Sequence, residues 1–284
     1  MNIFCESVPQ AVFMNYDPMR QGPFDQNQPL PESPLYCPRS EFYTIVRCDL
    51  CSEYTYDLLC DMRDLTDLFL AHHNEMDSVQ DIDSTIPRFN SAPSPYEYEQ
   101  RVTDIQARLA AMPSAYCPGL PVSNDWVYES CRIAAIIYTT AIVLRVPFSS
   151  ASDPTKSPIL SNAFSSSHSF GSQAPTRLTD ILYQTLEKTP VRELWRLMSG
   201  TLYWVTAVGA AAARTPVTLD VSAKPRLRDD EFALWVRRCL IMFSTRTMVI
   251  LNFQYAEPVL KTQKKLLRVQ ELIGDRGSRR LTNE

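Results

Sequence analysis

Cysteine and histidine are the residue types in this sequence most able to do chemistry, and their spacing limits what that chemistry is. Cys48 and Cys51 form the only Cys-x-x-Cys pair among eight cysteines. A zinc site needs four ligands. The next cysteines are Cys60 and Cys117, and the residues between Cys51 and Cys60 are acidic and apolar. A thioredoxin-like use of the pair would need a preceding strand, which is not apparent. We therefore predict no metal site.

The three histidines do not complete a catalytic arrangement. His72 and His73 are adjacent, and neighbouring side chains on a helix point about 100° apart, so one zinc ion cannot easily bind both. His168 lies in a serine-rich stretch. A hydrolase needs a histidine beside a nucleophile and a third orienting group, and nothing pairs with these histidines at such a spacing. The sequence also has no Gly-x-Ser-x-Gly, P-loop or Gly-rich dinucleotide turn. We predict no cofactor and no catalytic residues.

Composition favours an all-helical protein. Of the 284 residues, 45% are apolar, enough to bury a large core. Seven glycines and 21 prolines favour long helices joined by proline-containing loops. The net charge of −4 is unlike that of a duplex-binding module, which is usually basic. Cysteines within apolar patterns indicate a reducing compartment, cytosol or nucleus.

No secretion or membrane signal is visible. The first residues lack the basic and apolar regions of a signal peptide. The longest apolar stretches, 133–144 and 201–213, are shorter than the roughly 20 residues that span a bilayer. We expect both to be buried core helices.

Apolar residues recur at helical spacing through most of the chain. Leu58, Met62, Leu65 and Phe69, for example, form one stripe. No run alternates well enough to predict a strand. We expect Ser94 to cap the second helix, Ser123 or Asn124 the third, and Asp229 or Asp230 the last. The pattern predicts helices over residues 53–74, 95–112, 124–146, 178–186, 190–213 and 229–258, the last including Trp235, Cys239, Met242, Phe243 and Leu251.

These helices are predicted to form two blocks of long antiparallel helices. Residues 149–175 contain ten serines and read as a mobile Ser/Pro-rich linker. Within it, Ser157 before Pro158 is either a phosphorylation site or an unmodified loop serine. The predicted organisation is a disordered, proline-rich acidic leader (1–34), a first block (35–148), the linker, a second block (176–258) and a basic helical tail (259–284).

Three local features of the sequence predict an ion pair, a close helix–helix contact and a basic surface. Glu129 and Arg132 are spaced to form a structural ion pair on one helix. Gly209 and the alanines after it permit close packing between helices. The basic tail offers phosphate contacts, a nuclear import signal or a solvated helix face through Lys261, Lys264, Lys265 and Arg268.

Three stretches together resemble one protein family. The first runs from Glu32–Tyr36 through Arg47–Ser52 to Asp61–Asp67, the second is Trp126–Tyr138, and the third is Gly200–Arg214 followed by the helix of Trp235. In order and spacing they resemble the fungal-specific transcription factor regulatory domain, which lies C-terminal to zinc binuclear six-cysteine clusters. The resemblance covers about residues 32–260. Its motif residues here are Trp126, Glu129, Arg132, Tyr138, Trp204, Gly209 and Trp235.

The resemblance implies an all-α fold, a nuclear location and a role in transcriptional control, often of a metabolic gene cluster. The six-cysteine DNA reader of the family is missing from this sequence, so we expect no autonomous sequence-specific DNA binding. Our hypothesis is a regulatory module acting through a protein partner or self-association. Two alternatives stay open: a sensor whose helical core binds a small-molecule effector, and an unrecognised enzyme of a biosynthetic cluster.

Overall fold

The structure, a computed structural model, describes residues 29–74, 94–160, 177–214 and 227–281, with side chains described for residues 29–73, 94–160, 177–214 and 231–274. Over these ranges the chain is helical and contains no sheet, only an isolated bridge between Ser33 and Tyr36. The all-α prediction is confirmed. The helices are α1 (Glu53–Asn74), α2 (Pro95–Ala111), α3 (Trp126–Leu144), α4 (Phe148–Ala151), α5 (Leu178–Glu187), α6 (Ser199–Ala212) and α7 (Leu227–Leu281).

The structure confirms one of the three predicted N-terminal helix caps and corrects the other two. Ser94 caps α2 as predicted, its hydroxyl accepting from the Glu97 N–H. The cap of α3 is Asp125, whose carboxylate accepts from the Tyr128 N–H at 2.9 Å, so the prediction of Ser123 or Asn124 is wrong. Asn124 has a left-handed φ of 63°, and the Ser123 hydroxyl instead accepts from the Leu120 N–H. α7 begins at Leu227, before either predicted cap.

The start of α6 is also corrected. Residues 190–198 form two short 3₁₀ turns rather than the first part of the helix. Leu194, Trp195 and Arg196 have φ near +53°, a left-handed backbone that an α-helix cannot contain. The buried Trp195 ring holds this turn in place, since its indole N–H donates to the Thr189 hydroxyl at 2.9 Å.

Helix α3 lies at the centre of the fold. It packs against α1, α2, α4, α5 and α6. From Val127 to Ile142 nearly every residue is buried, which confirms the predicted burial of 133–144 except at its end, where Leu144 is 42% exposed. By length and composition alone, α3 is also the one helix of the described ranges that could cross a membrane, but 83% of its most apolar window is buried inside the protein. Residues of both predicted blocks belong to one hydrophobic core, so a two-block division is not confirmed.

Part of the predicted linker belongs to that core. Residues 149–160 contain α4 and a 3₁₀ turn at Pro154–Lys156, and Ile159 is buried. The Ser157 hydroxyl is buried 3.0 Å from that of Thr140, which leaves no access for a kinase. The linker prediction is therefore wrong for 149–160, where Phe148 and Ile159 supply apolar contacts that the serine count concealed. Residues 161–176 lie outside the described ranges.

The predicted leader is likewise wrong for its last six residues, 29–34. Leu30, Glu32 and Ser33 are buried. The Glu32 carboxylate accepts hydrogen bonds from the N–H groups of Tyr43, Thr44 and Ile45 at 3.2, 2.8 and 3.3 Å. Burial raises the pKa of this carboxyl group despite those hydrogen bonds. Residues 1–28 lie outside the described ranges.

Pro258 bends α7 but does not end it. Tyr255 has the non-helical φ and ψ of −141° and 54°, three residues before the proline. Proline has no N–H to donate and crowds the carbonyl group four residues earlier, so a kink forms at this point. Beyond it, Val259, Val269 and Ile273 are buried against the body. Residues 259–281 of the predicted basic tail therefore continue α7, and the part up to Ile273 packs on the protein.

Candidate interaction surface

The side chains of Cys48, Cys51 and His72, considered for metal binding or catalysis, are buried in the protein or packed against neighbouring side chains. The Cys48 thiol is buried near the Trp195 carbonyl oxygen, and burial raises the pKa of the Cys51 thiol to about 12. His72 stacks on Tyr98 with ring centroids 4.3 Å apart. Among the residues the structure describes, no three His, Cys, Asp or Glu side chains are grouped to hold a metal ion. His168 lies outside them.

His73 is held at both ring nitrogens. Its Nε2 atom is 2.6 Å from the Arg145 guanidinium, which can only donate, and its Nδ1 atom is 2.7 Å from the Phe69 carbonyl oxygen. With this geometry Nε2 accepts from the guanidinium and Nδ1 faces the carbonyl oxygen. This histidine joins the end of α1 to the end of α3.

Glu129 and Arg132 form the predicted ion pair. Two hydrogen bonds of 2.7 and 2.9 Å join the guanidinium to the carboxylate, which also accepts from the Ser114 hydroxyl and the Ala115 N–H. Burial alone would raise the Glu129 pKa, but these hydrogen bonds and the Arg132 charge outweigh it and lower the pKa. Nearby, Trp126 receives the Lys188 ammonium group 3.7 Å from its ring centroid.

Tyr138, Trp204 and Gly209 belong to the core. The rings of Tyr138 and Trp204 meet edge to face with centroids 5.9 Å apart, and both are fully buried. A Cβ atom on Gly209 would lie 2.7 Å from the Leu182 side chain, which confirms that this glycine permits close packing of α5 on α6. The Trp204 indole N–H is the one buried side-chain polar atom in the described ranges without a hydrogen-bond partner.

Trp235 is the exposed member of the motif residues, with 47% of its surface accessible. Its ring contacts Tyr183 of α5 edge to face at 4.8 Å and stacks with Phe232 at 6.1 Å. These contacts fix the indole on the protein surface. A rigid, half-exposed aromatic side chain of this kind is typical of interaction hot spots.

Trp235 belongs to a row of exposed apolar residues along α7. We call this row the α7 stripe: Phe232, Trp235, Met242, Val249 and Phe253, all exposed and the last of them 87% accessible. Trp235, Met242 and Val249 are seven residues apart, and Phe232 and Phe253 belong to a second series with the same period. The two series are offset by three or four residues, the a and d spacing of a coiled-coil seam.

Cys239 and Arg246 fill the remaining positions of the second series. The Arg246 guanidinium donates to the Arg192 carbonyl oxygen at 3.3 Å, which turns its charge toward the body. Beyond the kink, the exposed Leu260 and Leu267 continue the spacing. The helix therefore presents a narrow apolar seam on the side facing away from its buried residues, Val236, Leu240, Thr247 and Leu251.

Sequence reasoning assigned these residues to one helix but did not separate its two faces. Apolar residues lie on both sides of α7, so the helix reads as buried. The available signal is the strict seven-residue period of Trp235, Met242 and Val249. This period places the three residues on a different face of the helix from the core-facing residues.

The four tail residues do not form a single basic cluster. Lys261 pairs with Glu257 at 2.9 Å, Lys265 with Asp67 of α1 at 3.2 Å, and Arg268 with Glu271 at 3.5 Å. Lys264 is exposed. Acidic partners balance most of the positive charge, an arrangement typical of a solvated, paired helix face.

In comparisons with known proteins, no family model, curated protein or solved structure matches this chain.

Proposed function

We propose that this chain is a nuclear transcriptional regulatory module, in control of a metabolic pathway or gene cluster, that acts through protein–protein contacts on the α7 stripe. The observation that carries the proposal is the stripe itself. It places five large apolar side chains on the surface in one line. Contiguous apolar patches of more than a few hundred Å² are rare on monomeric proteins except at interaction sites.

The transcriptional part of the proposal is supported by the resemblance described above. In that family the helical domain lies beside a DNA reader and is not itself one. The charge of the described tail is largely paired, so weak, salt-sensitive phosphate contact is the most that this segment supports. We expect no sequence-selective duplex binding by the chain alone in a gel-shift at about 150 mM salt.

A tethering assay tests the function. The chain is fused to a heterologous DNA-binding domain at a reporter, in a host that contains its native partners. We expect the fusion to change transcription and Phe253→Asp to abolish the change, because a carboxylate on the stripe cannot be desolvated in an interface. Leu234→Asp is the control, since Leu234 is an exposed apolar residue of the same helix, 46% accessible against 87% for Phe253, but lies off the stripe.

Two outcomes would contradict the proposal. A wild-type fusion that leaves the reporter unchanged removes the transcriptional function. A fusion whose activity survives Phe253→Asp, at equal expression, removes the α7 stripe as the surface through which it acts.

A small-molecule sensor is the second candidate, favoured by the unpartnered Trp204 indole N–H in the core. Leaving such a donor unsatisfied costs about 1–3 kcal/mol, which a ligand with a hydrogen-bond acceptor would offset. A metabolite that raises the melting temperature of the wild type but not of Trp204→Phe would support this function. Equal shifts in both proteins would show that the indole N–H does not bind the ligand.

A further inference from the structure

We infer that the α7 stripe binds a second copy of this chain, with the two α7 helices antiparallel about a two-fold axis close to Met242. The inference rests on the proposed function because it names the partner of the same surface.

The spacing selects a helix as the partner. The stripe runs over 22 residues from Phe232 to Phe253, about 33 Å of helix, and ends just before the kink at Tyr255. Apolar residues spaced alternately three and four positions apart along a helix pack against a second helix that has the same spacing. The α7 helix of a second copy carries this spacing over the same length.

The order of residues along the stripe is compatible with a two-fold axis. In an antiparallel pair centred at Met242, Phe232 of one copy faces Phe253 of the other, and Trp235 faces Val249. Both ends of the seam are then closed by an aromatic pair, and each large side chain has an apolar partner. A two-fold interface requires this self-complementarity, because the same patch serves both copies.

Charge favours the antiparallel pair over a parallel one. In a parallel pair, Arg246 of one copy would face Arg246 of the other, and juxtaposed like charges at an interface are destabilising. The antiparallel arrangement places Arg246 opposite Cys239, which is uncharged and half-buried. The hydrogen bond from Arg246 to the Arg192 carbonyl oxygen holds the guanidinium at the side of the seam, so this repulsion selects the orientation without blocking the apolar contacts.

The exposed area is near what a stable dimer needs. Phe253 is 87% accessible and the other four stripe residues are between 42% and 57% accessible, which at about 200 Å² for a large side chain gives roughly 550 Å² per copy. Two copies would bury about 1,100 Å² from these side chains alone, close to the lower bound of about 1,200 Å² for specific interfaces. Polar residues beside the seam, such as Arg238 and Thr245, add the remainder.

Sedimentation of the purified full chain tests the inference. We expect a reversible dimer at about 50 µM, with a dissociation constant raised at least about tenfold by Phe253→Asp. Leu234→Asp should dimerise like the wild type. Circular dichroism checks that both variants are folded. We expect that they are, because both substitutions are at exposed positions. A monomeric wild type at this concentration, or equal dimerisation by wild type and Phe253→Asp, would overturn the inference.

Disulfide trapping tests the orientation. Under mild oxidation, Met242→Cys should give a dimer whose cross-linked peptide joins position 242 to itself, because this position lies at the axis. Phe253→Cys should give no such self-link, since the two copies of position 253 lie at opposite ends of an antiparallel seam. In a parallel pair every position faces its own copy, so efficient self-linking of Phe253→Cys as well as Met242→Cys would establish a parallel pair and refute the geometry.

The two proposals fail in different ways. A monomeric chain whose tethered activity is lost in Phe253→Asp keeps the proposed function and requires a different partner. A dimeric chain with a silent tethered fusion keeps the second copy as partner and removes the transcriptional function.

Discussion

Glu129 and Arg132 show how a single pair of charged residues stabilises the centre of this fold. The carboxylate is almost inaccessible and makes four hydrogen bonds, two of them to Arg132. A buried charge that loses its partner costs far more than an exposed one, because no water replaces the lost interaction.

We therefore expect Arg132→Met to lower the free energy of unfolding by about 3–5 kcal/mol. Arg108→Met is the control: Arg108 makes a bidentate pair with Asp61 in which the guanidinium side chain is 55% and the carboxylate side chain 14% accessible, against 13% and 1% for Arg132 and Glu129. Its loss should cost less than about 1 kcal/mol. Urea denaturation of both variants measures the difference. Equal losses would show that solvent screens the Glu129 pair as effectively as the exposed one.

Helix α3 is the element on which the other helices pack. Ile137 is fully buried at its middle, whereas Leu144 at its end is 42% exposed. We expect Ile137→Asp to lower stability by about 3–5 kcal/mol, since an unpaired carboxylate would be buried among apolar side chains. Leu144→Asp should cost less than about 1 kcal/mol. Thermal unfolding followed by circular dichroism compares them, and an unchanged midpoint for Ile137→Asp would mean that α3 is not central.

The elements predicted most accurately are those determined by local pattern. The stripe of Leu58, Met62, Leu65 and Phe69 identified α1, whose start at Glu53 is as predicted, and Ser94 with Pro95 gave the start of α2. The start of α6 was wrong by nine residues, because the left-handed turn at Leu194–Arg196 depends on the buried Trp195 ring and on no local signal. The α7 stripe was missed for a related reason. A helix with two apolar faces buries the face on which other parts of the protein pack, and the local sequence does not say which face that is.

At the scale of the whole molecule, the segment 29–36 joins parts of the chain that are far apart in sequence. Glu32 binds the turn at Tyr43–Ile45, and its carbonyl oxygen accepts from the Thr201 hydroxyl of α6 at 3.3 Å. The segment crosses α6 at Gly200, where the Pro31 carbonyl oxygen would lie 2.0 Å from an added Cβ atom. Glycine is the one residue that permits this approach.

Gly200→Ala should therefore displace residues 29–36, lower the free energy of unfolding and weaken the hydrogen bonds that this segment makes to the turn at Tyr43–Ile45. Because the obstructing atoms are backbone, they cannot rotate away as a side chain would, and we expect a loss of at least about 1–3 kcal/mol. Gly274→Ala is the control: nothing lies near its added Cβ atom, and alanine favours a helix over glycine by about 1 kcal/mol. Hydrogen exchange should show faster exchange at the Tyr43, Thr44 and Ile45 amides in Gly200→Ala alone. Unchanged protection there, with unchanged stability, would mean that segment 29–36 does not hold this turn in place.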